Sequence, residues 1–448
     1  MKAIILAGGT GSRLWPYNSI RNKAMVPVAN RPLVQHSVDA LHQAGIDEIV
    51  IAGWHHMDDV SHHFRGDPAV RVAVVEPNKG SADTLAAVMP DQDFMFLMGD
   101  VLAGAEDVAR LAQAAGGTVL LAAADDDPHN HIIAQLQDGR CVSFIGHPRG
   151  LASGSWLVGG RFDGRLKDCL THCASYFPNT KVGVAAPDEH IVEAALNDYA
   201  AALPLTALPA ASPALDIDKP WQILQANAAL VARMCAKLDH DVLDPTAAVD
   251  PTARIQGHVS LGPGSRIGPG VVVKGRAIIG AGTLLDNGAV IIGDAVIGDG
   301  CTLANGCKVT GPAVIGDECI MEQTAELAGG VVMRKNYLYH HGEFFGLLGQ
   351  RCDLGAGCLS GSLRFDDGAA VQTVKGRREH GVPYANATYV GDFTRAGVGV
   401  MFMPGVKVGT GCAIGPGTIV DRDIPDNRLV YVKQELIDKQ WGPDRYGW

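Results

Sequence analysis

From Leu243 onward the chain repeats with a period of six. Every sixth position from 243 to 327 holds Leu, Ile, Val or Met, fifteen times without a break. The residue two places before each of the last fourteen, from Ala247 to Ala325, is small or β-branched in every case. Such a period does not match an α-helix, whose apolar stripe recurs about every 3.6 residues, and plain strand alternation would not exclude large residues from one phase only. It fits a parallel β-helix that turns a corner every six residues, with the aliphatic side chain in a narrow core and the small one at the corner. At three hexapeptides per coil, residues 243–327 make nearly five coils. The register lapses over 328–347, returns at Leu348 and Leu354, lapses again over 361–387, and resumes from Val390 to Val420. Both lapses are predicted as loop excursions, the second rich in charge.

The first half is patterned differently. Short apolar runs at 2–7, 48–52, 70–75, 94–98 and 118–123 alternate with helix-length segments such as 33–45, 81–90 and 105–115. That alternation predicts an α/β unit with a mainly parallel sheet, whose ligands sit at the carboxyl ends of the strands. After the first strand comes Gly8-Gly9-Thr10-Gly11-Ser12-Arg13. A loop of this composition offers backbone N–H groups to phosphates, and Arg13 adds a cation. The expected division is an α/β domain over 1–235, a β-helix over 236–432 and a tail over 433–448.

Composition narrows the function. With 448 residues, 47% of them hydrophobic and 19% charged, the chain can bury large cores. A net charge of −11 argues against nucleic acid or a polybasic membrane contact. No apolar run approaches the ~20 residues of a membrane span, and Met1–Ala7 reads as a buried strand instead of a signal peptide. The ten cysteines form no CxxC pair, so reduced thiols in the cytoplasm are expected. Cys301, Cys307, Cys319, Cys352 and Cys412 fall in small core slots of the repeat, which leaves them no metal role. His55, His56, His62 and His63 lie beside Asp58 and Asp59 and read as a solvated helix.

Longer strings carry a resemblance. Leu6-Ala7-Gly8-Gly9-Thr10-Gly11-Ser12-Arg13-Leu14-Trp15-Pro16, followed by Lys23-Ala24-Met25-Val26-Pro27-Val28-Ala29-Asn30-Arg31-Pro32, resembles the signature of the sugar-1-phosphate nucleotidyltransferases, or NDP-sugar pyrophosphorylases. Gly80-Ser81-Ala82-Asp83-Thr84-Leu85 resembles the family's base-contacting segment, and Met98-Gly99-Asp100 its metal motif. Leu215-Asp216-Ile217-Asp218-Lys219-Pro220-Trp221 resembles the segment that closes its catalytic domain. The hexapeptide repeat resembles the left-handed β-helix. The whole chain is thus similar to the bifunctional N-acetylglucosamine-1-phosphate uridylyltransferase/acetyltransferase type, archaeal-type relatives above all.

The resemblance implies a Rossmann-like nucleotidyltransferase domain joined to a left-handed parallel β-helix that builds a homotrimer or higher oligomer. It implies Mg²⁺-dependent transfer from an NTP to a sugar-1-phosphate. Arg13 and Lys23 would hold the phosphates, Leu6 to Ser12 with Gly80 and Ser81 the nucleotide, and Asp100 and Asp216 the metal, with Asp218 as the alternative ligand. Asn30 and Arg31 would organise the loop.

Three departures stand out. Asn22 replaces the Pro usual before the loop lysine. The expected Glu-Lys-Pro sugar segment reads Gly146-His147-Pro148, so His147 and Arg149 become the substitute candidates. The acetyltransferase asparagines are missing, which leaves His340 and His341 as the nearest candidate bases and favours a structural role for the β-helix. The alternatives are an acetyl-CoA-dependent acyltransferase with a vestigial first domain, and a non-catalytic NDP-sugar-binding subunit.

Overall fold

In the computed structural model, which describes residues 1–76, 80–125, 128–148, 150, 153–173 and 190–442, the first strand Lys2–Leu6 lies inside a nine-stranded sheet. It pairs in parallel with Glu48–Gly53 on one side and Phe94–Met98 on the other. Beyond Phe94–Met98 the sheet becomes mixed: Gly154–Phe162 runs antiparallel to both Phe94–Met98 and Thr118–Asp125. Side chains alternate across this sheet, so Ala3, Ile5 and Leu97 join one apolar layer while Ile4, Leu6 and Phe96 join the other. The helices Leu33–Gln43, Ser81–Val88 and Ala105–Gln113 follow the expected segments to within two residues at each end.

From Val242 the chain coils. Val242 pairs with Ser260, Ala248 with Arg266 and Val272 with Val290, always in parallel and always 18 residues on. Three hexapeptides therefore make one turn. The aliphatic positions from Leu261 to Leu327 are buried along the axis, with Cys301, Cys307, Cys319, Cys352 and Cys412 among them. Leu243 and Val249 remain 48% and 37% exposed, because no earlier coil covers them.

Residues 328–347 correct an expectation. They form no excursion: Glu326–Val332, Tyr337–Leu338 and Glu343–Leu348 continue the stack. The coil is only shortened there, Met321 pairing with Leu338 and Leu338 with Leu354, and the register shifts at Gly329 and Gly330. Two short turns break a strict period of six without breaking the strands. The second lapse does leave the coil, since Asp353 pairs next with Arg395, and within it Gln372–Val374 and Arg377–Glu379 form a hairpin.

The helix Pro220–Ala236 joins the two halves and starts with Pro in its first turn. Its Trp221, Leu224 and Val231 share one apolar core with Leu14, Tyr17 and Val26 and with Val296, Val314, Val331, Leu347 and Tyr389 of the coil. These coil residues form an outward-facing ladder, each paired with the next. The sheet unit is thus packed on one face of the coil. Among the described residues, no helix is long and apolar enough to cross a membrane.

Candidate functional site

At Leu6 the first strand ends, and Ala7 N–H still reaches Ala52 O at 2.7 Å before the chain turns out as the glycine loop. Gly11 takes φ +60°, where a side chain would be strained, and its carbonyl accepts from Leu14 N at 2.7 Å. The loop rims a cleft of ≈ 410 Å³ beside the carboxyl ends of Lys2–Leu6 and Phe94–Met98. All nine expected nucleotide-binding residues, Leu6 to Ser12 with Gly80 and Ser81, line it, as do Arg13, Lys23 and Asp100. Trp54 and Lys375 line it too, and neither was anticipated.

Tertiary pairing assembles the carboxylates. Leu215–Asp216 runs antiparallel to Val101–Leu102, and Ile217 N–H donates to Asp100 O at 3.0 Å. Oxygen atoms of Asp100, Asp216 and Asp218 consequently lie within 4.8 Å of one another, the only such acidic cluster among the described residues. Lys23 Nζ donates to Asp100 at 2.7 Å and also to Asp218, while Arg13 meets Asp218 at 2.5 Å. Burial alone would raise the Asp218 carboxyl, but Lys23 and Arg13 hold it at about 2. Asp216 goes the other way. Burial first, then the charge of Asp218, push it up to about 6 against a bond from His131, whose Nδ1 lies 3.2 Å away. The Lys23 ammonium is disfavoured by burial, yet the three carboxylates more than compensate and raise its pKa.

Asn22 explains how a non-proline serves before Lys23. Its φ of −63° is one a proline would take, and its buried amide makes three bonds to the backbone. Oδ1 accepts from Ala24 N at 2.8 Å, and Nδ2 donates to Ala7 O at 2.9 Å and His55 O at 2.6 Å. The side chain thereby ties the lysine turn to the end of the first strand. Asn22→Ala is expected to cost about 1–3 kcal/mol by leaving buried carbonyls unpaired, read as a lower midpoint in urea unfolding. An unchanged midpoint would show that the three bonds contribute nothing.

Gly146 is explained by crowding. A Cβ there would fall 2.1 Å from Glu193 Oε1, so the buried Glu193 side chain occupies the space that a residue larger than Gly would need. His147 follows at φ +48° with Nδ1 3.1 Å from His129 O and does not line the cleft. Arg149 lies outside the described residues, as does the tail from 443. Asn30 reaches the coil, donating to Ile315 O at 2.7 Å, whereas Arg31 pairs with Asp39 at 2.7 Å. His55 and His56 precede the short helix Met57–His63 without joining an acidic cluster.

His340 and His341 stand exposed at corners of the coil, both with positive φ. His341 Nδ1 meets Thr324 Oγ1 at 2.6 Å. The hollow beside neighbouring Tyr339 holds ≈ 10 Å³, about one water and far short of an acyl donor, in a single chain. Sequence reasoning missed His131, Trp54 and Lys375. His131 stacks on Trp156 at 4.5 Å and reaches Asp216 from a separate loop, a contact that no motif announces.

Known proteins resemble this arrangement. The model of the MobA-like NTP transferase domain matches residues 3–158, and that of the GMPPB C-terminal domain matches 238–341. The bifunctional protein GlmU of Methanococcus maripaludis strain C7 is 29% identical, with 98% of each chain covered. The GlmU of Methanocaldococcus jannaschii is 26% identical over 98% of this chain and 99% of its own. The bifunctional sugar-1-phosphate nucleotidylyltransferase/acetyltransferase of Sulfurisphaera tokodaii is 23% identical over 95% and 98%. Among solved structures, a putative glucose-1-phosphate thymidylyltransferase from Bacillus anthracis aligns with 51% of this chain and 94% of its own at 24% identity and a TM-score of 0.44. Two domain models in the same order, and relatives that match it almost end to end, make this chain similar throughout to the bifunctional sugar-1-phosphate nucleotidyltransferase/acetyltransferases.

Proposed function

We propose that the protein transfers a nucleotidyl group from an NTP to a sugar-1-phosphate, giving an NDP-sugar and pyrophosphate. The observation that carries this reading is the network of Arg13 and Lys23 with three aspartates at the mouth of the glycine loop. A phosphate oxygen of the sugar-1-phosphate attacks the α-phosphorus, and the bond from that phosphorus to the β-phosphate oxygen breaks. No covalent enzyme intermediate is needed, so catalysis is positioning plus neutralisation of crowded charge. Backbone N–H groups of Gly8–Ser12 cradle the phosphates, and Arg13 and Lys23 turn from Asp218 toward them. The exposed indole of Trp54 on the cleft wall is suited to stack on the base.

The donor set fits Mg²⁺, a hard ion that takes carboxylate oxygens. Both Asp218 oxygens already meet cations, Oδ1 with Lys23 and Oδ2 with Arg13. That leaves Asp100 and Asp216 as the ligands and makes Asp218 the residue that orients the two cations. When bound, the metal would offset the charge that develops on the phosphates. Only an ionised carboxylate binds a cation. With Asp216 at about 6, Mg²⁺ affinity of the metal-free protein is expected to fall about tenfold from pH 7 to pH 5 by calorimetric titration. A flat profile would remove Asp216 from the ligand set.

The organisation that goes with this reading is a catalytic unit over 1–235, a left-handed β-helix over 236–432 and a tail beyond. Self-association through the coil is supported by an exposed apolar ladder, Leu359, Met401 and Ile419, paired in register on an outer face. A cytoplasmic setting agrees with the unpaired cysteines. The reading is tested by incubating the protein with Mg²⁺, each of four NTPs and a panel of sugar-1-phosphates while measuring pyrophosphate. Release with one pair is expected. Nucleotide binding without release from any pair would instead favour a non-catalytic binding subunit.

A further inference from the structure

The excursion at 361–387 returns to the first domain. Gln372–Val374 and Arg377–Glu379 pair with Val374 opposite Arg377, so only Lys375 and Gly376 form the turn. Both have positive φ, +47° and +75°, the geometry of a type I′ hairpin. That turn type favours Asn-Gly, and a long cationic side chain at its first position is a local disadvantage. Lys375 occupies it all the same, and its side chain lines the nucleotide cleft.

The hairpin is held in place from both sides. Val374 is buried in the core shared by the two halves. Lys219, next to the aspartate segment, pairs with Glu379, and Gln225 Nε2 donates to Val382 O at 3.0 Å. Gly381 lies flat on Trp221, where a Cβ would sit 2.6 Å from the ring. Gln372 also donates to Ala385 O within the excursion and, on the coil side, donates to Gly405 O and accepts from Lys407 Nζ at 2.8 Å.

Charge gives the tip its meaning. Of the described cations lining the cleft, Arg13 and Lys23 are neutralised by Asp100 and Asp218, whereas Lys375 has no ion-pair partner among the described residues. Between the hairpin and the glycine loop a second hollow of ≈ 220 Å³ continues the cleft, lined by Ser12, Arg13, Trp15, Thr373 and Lys375 among others. Its chemistry suits the far end of a polyphosphate.

We propose that Lys375, carried across from the C-terminal coil on this hairpin, binds the terminal phosphates of the NTP and the departing pyrophosphate. This rests on the nucleotidyl-transfer reading above, and it makes the first domain's site incomplete without the second. Lys375→Asn is the decisive variant, because Asn-Gly keeps the turn while removing the cation. Calorimetric titration of full-length protein with inorganic tripolyphosphate, in the presence of Mg²⁺, is expected to show affinity weakened about tenfold or more in Lys375→Asn and largely kept in Lys375→Arg, with unfolding midpoints unchanged. For whichever NTP and sugar phosphate react, KM for the NTP should rise in parallel. Tripolyphosphate bound equally well by wild type and Lys375→Asn, or not bound by wild type at all, would overturn the proposal. Failure of nucleotidyl transfer alone would leave the binding comparison in force, so the two readings fall separately.

Discussion

Asp100→Asn is expected to abolish pyrophosphate release, a loss of about a thousandfold or more, with the fold intact. A metal acting on phosphate oxygens contributes several kcal/mol to the transition state, and each ~1.4 kcal/mol is tenfold in rate. The residue sits where the strand Phe94–Met98 ends, and its carboxylate also receives Lys23 at 2.7 Å. An amide of the same shape can still accept from Lys23 through its oxygen, so the local packing survives while the anionic ligand is lost. Pyrophosphate release under saturating NTP and sugar phosphate, beside a circular-dichroism melt, separates the two. Full activity in the variant would remove Asp100 from the metal site. A collapsed melt would mean that its structural bond to Lys23 outweighs its chemistry.

Arg21→Ala is expected to destabilise the protein by about 3–5 kcal/mol, because it strands a buried charge. Arg21 and Asp392 pair at 2.6 Å, with side chains 8% and 0% exposed, across the junction between signature loop and coil. Asp392 Oδ1 also accepts from Gln350 N at 2.8 Å, while Oδ2 has no partner among the described residues. Removing the guanidinium leaves this carboxylate with one backbone donor. The double replacement Arg21→Met with Asp392→Leu, which removes both charges and keeps apolar volume, should recover most of the loss. Chemical unfolding of the three proteins reads the effect directly. Equal stability of Arg21→Ala and wild type would show that the pair contributes nothing.

The same region couples stability to activity. Trp15 Nε1 donates to Asp426 at 2.9 Å, Ser19 Oγ to the same carboxylate at 2.8 Å, and Tyr17 OH to Leu347 O at 2.6 Å. Thr410 Oγ1 donates to Pro16 O at 3.1 Å. One side of residues 8–23 therefore lines the cleft, and the other is bonded to the coil. A weakened junction should raise KM for the NTP as well as lower the unfolding midpoint.

Much of this was legible in the chain before folding. A hexapeptide register persists because each coil stacks on the last, so every sixth side chain meets the same narrow core and must be aliphatic. The alternation over 1–123 was equally plain, since each strand and helix buries one local face. The glycine loop, Arg13, Lys23 and Asp100 announced themselves as contiguous strings. One signal was present but unread: Ile278, Val296 and Val314 recur every 18 residues at an outward position, where a solvated coil would carry polar groups. That stripe marked the face now covered by Pro220–Ala236.

Other features leave no periodic trace, because they depend on which remote segments meet. The pairing of Leu215–Asp216 with Val101–Leu102 sets two buried carboxylates side by side, Asp216 raised by burial and by its neighbour's charge and Asp218 held low by Lys23 and Arg13. His131 joins them from an unrelated loop. The shortened coils at 328–347 keep their hydrogen bonds while losing the count of six, so a sequence period cannot tell them from a loop. Lys375 lies 352 residues from Lys23 along the chain, yet it lines the same cleft. Repeats and strings are local regularities that the chain carries openly; charge balance in a cleft is a sum over distant neighbours, and it exists only once the fold has brought them together.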